Sequence, residues 1–243
     1  MRRNRVKTVL FDLDGTLLPM DQELFVKTYM KELALKGAAV GYDPQELVQI
    51  VLAGVEVMVK NDGTMTNEER FWELFMARFG GEMEKHIEVF EKFYQNEFAR
   101  VANVVNPTRL ANQTVQVLRD KGYELVLATN PVFPKVATLE RMRWAGLNPK
   151  DFSLITTYEN CHYTKPNVDY YREILAKIGA KPQECLMVGN DVQEDFSVAK
   201  LGVQVFLVTD DLINTAGDDY SQLPQGDRQG LLDYARSLPS VLS

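Results

Sequence analysis

The chain has 243 residues, is 45% hydrophobic and 25% charged, and carries a formal net charge of -7. Such a composition fits a globular protein large enough to bury its own core, and the absence of excess Lys and Arg disfavours a nucleic-acid or polybasic membrane binder. Two cysteines, Cys161 and Cys185, and two histidines, His86 and His162, exclude a disulfide framework and a zinc-finger array. No apolar run reaches the length of a membrane span. The basic residues 1–7 are followed by an apolar run cut short by Asp12, so a secretory signal is not expected and the expected location is cytoplasmic.

In chain order, the pattern predicts a first strand over residues 6–11 that ends in Asp12-Leu13-Asp14-Gly15-Thr16. Two carboxylates followed by Gly at a strand's end read as a functional loop. Residues 21–101 are helical throughout. Asp43-Pro44 reads as an N-cap and first turn, and Leu47, Ile50, Val51, Gly54, Val55 and Met58 follow at helical spacing. Two further helices carry Phe71, Phe75 and Phe79, and then Ile87, Phe90, Tyr94 and Phe98, separated by Gly80-Gly81. This aromatic stripe is expected to be the core of a small helical bundle rather than the lining of a ligand site.

Beyond residue 101 the pattern alternates. Helices are predicted over 107–121, 134–145, 167–178 and 195–201, and strands over 123–128, 152–156, 185–188 and 203–208. The segment after 210 is polar, with a last helix over 231–238. Alternation of this kind predicts an α/β fold, a doubly wound parallel sheet with helices on both faces. Ligands of such sheets bind beyond the carboxyl ends of the strands. The domain reading is a Rossmann-like core over 1–19 and 103–243, with a helical insert over 20–102.

Four clusters sit at or near those strand ends: Asp12 with Asp14, Thr129-Asn130, Lys165-Pro166, and Gly189-Asn190-Asp191 with Asp195. Asp12 can act as nucleophile or metal ligand, and Asp14 as acid and base. Thr129 offers a hydroxyl, and its neighbours offer backbone amides, to phosphate oxygens. Lys165 is a point positive charge. Asp191 and its neighbours, with Asp12, supply hard oxygens suited to Mg²⁺. Singly, each residue has a plain alternative, such as a turn-forming Asp, a solvated Lys or a helix cap; their order along the chain favours one site.

These residues resemble the motifs of the haloacid dehalogenase-like hydrolases, a superfamily dominated by Mg²⁺-dependent phosphatases. Phe11-Asp12-Leu13-Asp14-Gly15-Thr16-Leu17 is similar to its first motif and Leu127-Ala128-Thr129-Asn130 to its second. Lys165-Pro166-Asn167 is similar to the third, and the run from Val188 to Asp195 to the fourth. The insert resembles the family's type-1 helical cap. The resemblance implies Asp12 as nucleophile, Asp14 as acid and base with a metal-binding main-chain carbonyl, Thr129, Asn130 and Lys165 around the phosphoryl group, and a small phosphorylated metabolite as substrate. Asn190 stands where the family commonly has an acid, so either Asn190 or Asp191 holds the metal, with Asp191 expected to be the better ligand because it is anionic. Asp195 is expected to order Lys165 or a metal-bound water. Within the family, a dehalogenase is disfavoured by the presence of Asp14, and a phosphomutase is weakly disfavoured by Thr16-Leu17. A non-catalytic phosphate- or protein-binding relative is disfavoured because both Asp12 and Asp14 are present. Cys185 reads as a core residue and Cys161 as a reduced loop thiol; His162 reads as lying outside the site.

Overall fold

A computed structural model describes residues 6–242. The basic residues 1–5 and Ser243 lie outside the described residues. Six parallel strands form one sheet in the order β3-β2-β1-β4-β5-β6. They are β1 (Thr8–Phe11), β2 (Glu124–Leu127), β3 (Leu154–Ile155), β4 (Cys185–Gly189), β5 (Gln204–Val208) and β6 (Gln225–Gly226). β1 and β4 are buried along their whole length, as expected for strands covered on both faces. The chain winds outward from β1 to β2 and β3, then returns to the other side of β1 with β4. The sheet's switch point therefore lies between β1 and β4, and the loops after both strands open there.

The helices are α1 (Gln22–Ala39), α2 (Pro44–Val59), α3 (Asn67–Phe79), α4 (Met83–Gln95), α5 (Arg109–Asp120), α6 (Lys135–Trp144), α7 (Val168–Ile178) and α8 (Arg228–Ser237). Their starts follow local chemistry. Asp43 caps α2 ahead of Pro44, and Thr66 and Glu69 close a capping box on α3. Three expectations are corrected. Phe98 belongs not to α4 but to a 3-10 segment, Glu97–Val104. The predicted helix at 195–201 is a 3-10 turn, Phe196–Leu201, that ends at Gly202. The polar segment after 210 holds a strand, β6, that two residues of pairing were too short to announce. No helix among the described residues is long and apolar enough to cross a membrane.

Helices α1 to α4 stand between β1 and α5, and the chain enters and leaves them at one place. Met20 and Val105 form an isolated antiparallel bridge, and the Asn106 amide donates to the Pro19 carbonyl at 2.9 Å. The four helices pack on aromatic side chains. Phase along α1 buries Phe25, Tyr29 and Leu33. Phe75 of α3 is fully buried with its ring against Phe71, Trp72, Phe79 and Phe90. Gly54 of α2 admits the Phe71 ring, which lies 2.5 Å from where a Cβ would stand. The helices are fastened to the sheet layer through Asn67, whose side-chain amide donates to the carbonyls of Pro131 and Tyr163. Phe25 and Tyr29 meet Phe133 across the same seam.

Both cysteines are buried and free; burial pushes the Cys161 thiol up to about 12 and the Cys185 thiol up to about 11. Neither is a nucleophile at neutral pH. Phe75→Ala should destabilise the fold by about 3–5 kcal/mol, the range for emptying a buried aromatic site. Urea unfolding followed by tryptophan fluorescence measures it.

Candidate active site

The site forms where β1, β2 and β4 end beside the loop that precedes α7. Asp12 follows β1 directly, its amide donating to the Val188 carbonyl at 2.9 Å. That bond ties the residue to the neighbouring strand and fixes its height at the sheet edge. Lys165, separated from Asp12 by 153 positions, reaches it from the loop before α7. Its ammonium donates to Asp12 Oδ1 at 2.7 Å and to Asp195 Oδ1 at 2.6 Å, and its side chain is 1% exposed. Burial works against the Lys165 charge, but Asp12 and Asp195 hold its pKa well above the ordinary lysine value. Burial pushes the Asp195 carboxyl up, and Lys165 opposes that. Asp195 is placed by Gly189, where an added Cβ would fall 2.0 Å from its Oδ2, and by the Asp191 amide, which donates to that oxygen at 3.0 Å.

Thr129 follows β2 and is buried. Its carbonyl accepts from the Thr156 and Tyr170 hydroxyls at 2.7 and 2.8 Å, which anchors the backbone and leaves the side chain at the strand's end. Asn130 uses its side chain structurally: Oδ1 accepts from the Lys165 amide at 3.2 Å, and Nδ2 donates to the Glu194 carboxylate at 3.1 Å. Burial pushes Glu194 up to about 8, and Lys165 pulls the other way.

Asn190 and Asp191 are placed differently from each other. Asn190 is buried, and its Oδ1 lies 2.8 Å from Thr16 Oγ1, which is also 3.2 Å from Asp12 Oδ2. Gly15, with φ +80°, makes room; a Cβ there would meet Asn190 Nδ2 at 2.3 Å. Asp191 instead spends Oδ1 accepting the Gln193 and Glu194 amides at 2.9 and 2.8 Å. The residue expected to be the better metal ligand thus caps its own turn, and the amide residue faces the Asp12 loop.

A hard cation fits this donor set. Asp12 Oδ2 and Asn190 Oδ1 converge on one hydroxyl, which has a single hydrogen to give. A cation beside them would satisfy both oxygens, with further main-chain oxygen from the loop. The set is poorer in charge than an all-carboxylate cage, and no group of three or more His, Cys, Asp or Glu side chains converges among the described residues.

Three contributors were not foreseen. Arg141 of α6 is fully buried, forms an ion pair with Asp14 Oδ2, and stacks on Phe133 with its guanidinium carbon 4.4 Å from the ring centre. Burial raises the Asp14 pKa, and the Arg141 charge partly offsets it. Arg228 of α8 donates to the carbonyls of Gly15 and Thr16 and pairs with Asp211, bracing the Asp12 loop from the C-terminal segment. Thr16 links Asp12 to Asn190. Helical periodicity hides Arg141 among the other charged residues of α6, and Arg228 sits in a segment with no strong pattern. Thr16 was visible only as part of its motif. His162 pairs with Glu173 at 2.8 Å and takes no part.

Comparison with known proteins identifies the family of the chain. The family profile described as haloacid dehalogenase-like hydrolase matches residues 6–202. Pyrophosphatase PpaX of Bacillus cereus (strain AH820) is 25% identical over 187 residues, 77% of this chain and 76% of that protein. Glyceraldehyde 3-phosphate phosphatase of Methanothermobacter thermautotrophicus is 24% identical over 233 residues, 88% of this chain and 90% of that one. The crystal structure of a HAD phosphatase from Thermococcus onnurineus shares the fold, with a TM-score of 0.58 and 21% identity over 97% of this chain and 100% of its own.

Arg141→Met should destabilise the protein by about 3 kcal/mol, because it strands the Asp14 carboxylate without its counter-charge. The double variant Asp14→Asn, Arg141→Met should recover most of that loss. A double-mutant cycle in urea checks the coupling.

Proposed function

The chain belongs to the haloacid dehalogenase-like hydrolases, and from that premise we propose that it hydrolyses a small-molecule phosphate monoester through an aspartyl-phosphate. The observation that carries the reading is the Lys165 ammonium held between Asp12 and Asp195, with Asp14 two residues beyond Asp12. Asp12 attacks phosphorus in line, and the bond to the ester oxygen breaks as the new P–O bond forms. Asp14 gives its proton to the departing alkoxide; burial raises its pKa toward the proton-bearing form, and the Arg141 charge opposes that. It then takes a proton from the water that attacks the acyl phosphate, which releases inorganic phosphate and restores Asp12. Lys165 orients Asp12 and offsets charge on the transferring group.

Thr129 contributes its hydroxyl to the phosphoryl oxygens. Asn130 contributes its main-chain amide, since its side chain is already committed to Glu194 and the Lys165 loop. Mg²⁺ is the cation this reading requires, supplying positive charge to neutralise the phosphoryl group. Asp12 and Asn190 would hold it with the main-chain carbonyl of Asp14. Asp191 acts by shaping the turn and Asp195 by fixing Lys165. Residues 20–102 serve as a lid on the core of residues 1–19 and 103–243, excluding water while the acyl phosphate exists.

Phosphate release from p-nitrophenyl phosphate with Mg²⁺ tests the reading. Asp12→Asn should lower kcat by about 10³-fold or more while the fold persists. Chelation with EDTA should abolish turnover, and added Mg²⁺ should restore it. Asn190→Ala should raise the half-saturating Mg²⁺ concentration more than Asp191→Ala does; the reverse order would return the metal to Asp191.

A further inference from the structure

A cavity of about 1020 Å³ opens between the helices of residues 22–95 and the sheet layer, with Asp14 in its wall. This volume lies at the upper end for small-molecule sites and far exceeds the space a second phosphate would fill. Its interior is apolar and aromatic: Phe25, Tyr29, Phe71, Trp72, Phe90 and Phe133 all line it. Val26, Leu52 and Val136, among the few large apolar side chains left exposed, line it as well. Of its buried polar atoms, the carboxylate oxygens Asp14 Oδ1 and Glu159 Oε2 have no hydrogen-bond partner among the described residues. The Tyr29 and Tyr94 hydroxyls lie 2.9 Å apart and bond to each other, and burial pushes Tyr29 up to about 12, so both stay neutral.

The charges around the cavity point the same way. Lys135 and Arg143 are the basic side chains of its lining; both are exposed, and Arg143 is paired with Glu140. Glu68, Glu91, Glu140 and Glu159 line it too, so carboxylates outnumber cations even before Asp14 is counted. Arg141 lies outside the lining and is compensated by Asp14. A second anionic group on the substrate would meet net negative charge and would lack the cations that binding a phosphate or carboxylate demands.

We propose that this cavity takes the leaving group of the substrate, and that the group is bulky, uncharged and apolar: an aryl or long-chain alkyl alcohol. This rests on the phosphomonoester reading above, because it is Asp14 that delivers the proton to the departing oxygen. It sets this chain apart from a relative whose name is pyrophosphatase, since pyrophosphate presents a second phosphate where this protein presents phenyl rings and carboxylates. The aromatic surface stabilises the apolar group by removing it from water, and Asp14 at the cavity's wall meets its oxygen.

The experiment compares kcat/KM for 1-naphthyl phosphate, n-octyl phosphate, glycerol 1-phosphate and pyrophosphate with Mg²⁺. The two apolar esters should exceed both polar substrates by about 100-fold, the scale that several buried methylenes provide. The ranking of naphthyl against octyl tells ring stacking from simple bulk. Preference for pyrophosphate or glycerol 1-phosphate overturns the proposal. Val55→Asp, in the cavity wall, should lower the ratio of kcat/KM for the apolar esters to that for glycerol 1-phosphate by about 10-fold or more. Leu52→Asp, at an exposed lining position, gives the same test without threatening the fold. Unchanged selectivity in both variants overturns the proposal.

Binding separates this proposal from the hydrolase reading. In Asp12→Asn protein, quenching of Trp72 by 1-naphthyl phosphate should report a Kd at least about 10-fold below that of pyrophosphate. If wild-type protein hydrolyses nothing yet this preference holds, the hydrolytic reading fails and the cavity assignment stands. If no preference is found, the cavity assignment fails whatever the turnover.

Discussion

One buried ammonium organises the active end of this molecule. Lys165 stands between Asp12 and Asp195, each within 2.7 Å, and all three residues are buried. Two carboxylates this close repel strongly in a medium of low dielectric, and a lone buried ammonium would lose its proton. The trio is tolerable only as a unit. Its members come from the end of β1, the loop before α7 and the turn after β4, so satisfying it requires that β1 and β4 be neighbours and that the α7 loop cross above them. The sheet order and the site are two expressions of the same constraint.

Much of that unit could be read from the sequence. Short β-rich runs ending in Asp, Thr or Gly-Asn-Asp, separated by helices, leave few ways to build the sheet, and the rule for parallel sheets then says where the chemistry sits. That rule directs attention to Asp12, Thr129 and Asp195, at or just past strand ends, and to Lys165 in the loop before α7. What the pattern could not carry was direction. Asn190 and Asp191 are adjacent and both polar, and it is Asn190 that reaches the Asp12 loop, over Gly15, where a Cβ would meet its amide at 2.3 Å. The charge argument for Asp191 applies to a residue that uses Oδ1 to accept the Gln193 and Glu194 amides of the next turn.

Arg141 and Arg228 were illegible for a different reason. Both are long cations in segments where periodicity assigns charge to the surface, and both are buried. Their partners lie 127 and more than 200 residues away in the Asp12 loop, so no local spacing announces them. A basic side chain folded inward is recognisable only once the carbonyls and carboxylate that receive it are in place. Arg228 also explains why the polar C-terminal segment ends in an ordered helix. Its guanidinium holds the carbonyls of Gly15 and Thr16, and Asp211, which anchors that guanidinium, uses its own carbonyl to fix Asn190.

The aromatic side chains of residues 22–95 pose the opposite problem, being legible but double in meaning. Burial at i, i+4 spacing identifies a packed interior, and Phe75, Phe93 and Phe98 are that interior. Phe71, Trp72 and Phe90 belong to the same cluster and also line the cavity, so one face of each ring packs while another is left for an occupant. Periodicity reports how much of a side chain leaves water and is silent on whether protein or ligand covers the remainder. The distinction comes from the partner surface. Across the seam stand Val132, Phe133, Val136 and Leu139, with Asp14 in the same wall and charged side chains, Lys135, Glu140, Arg143 and Glu159, beside them. A core that packed to completion there would bury Asp14 away from any substrate. Leaving the space open keeps Asp14 in the cavity wall at the cost of packing, and the lining makes an apolar group the occupant that best restores what the packing lacks.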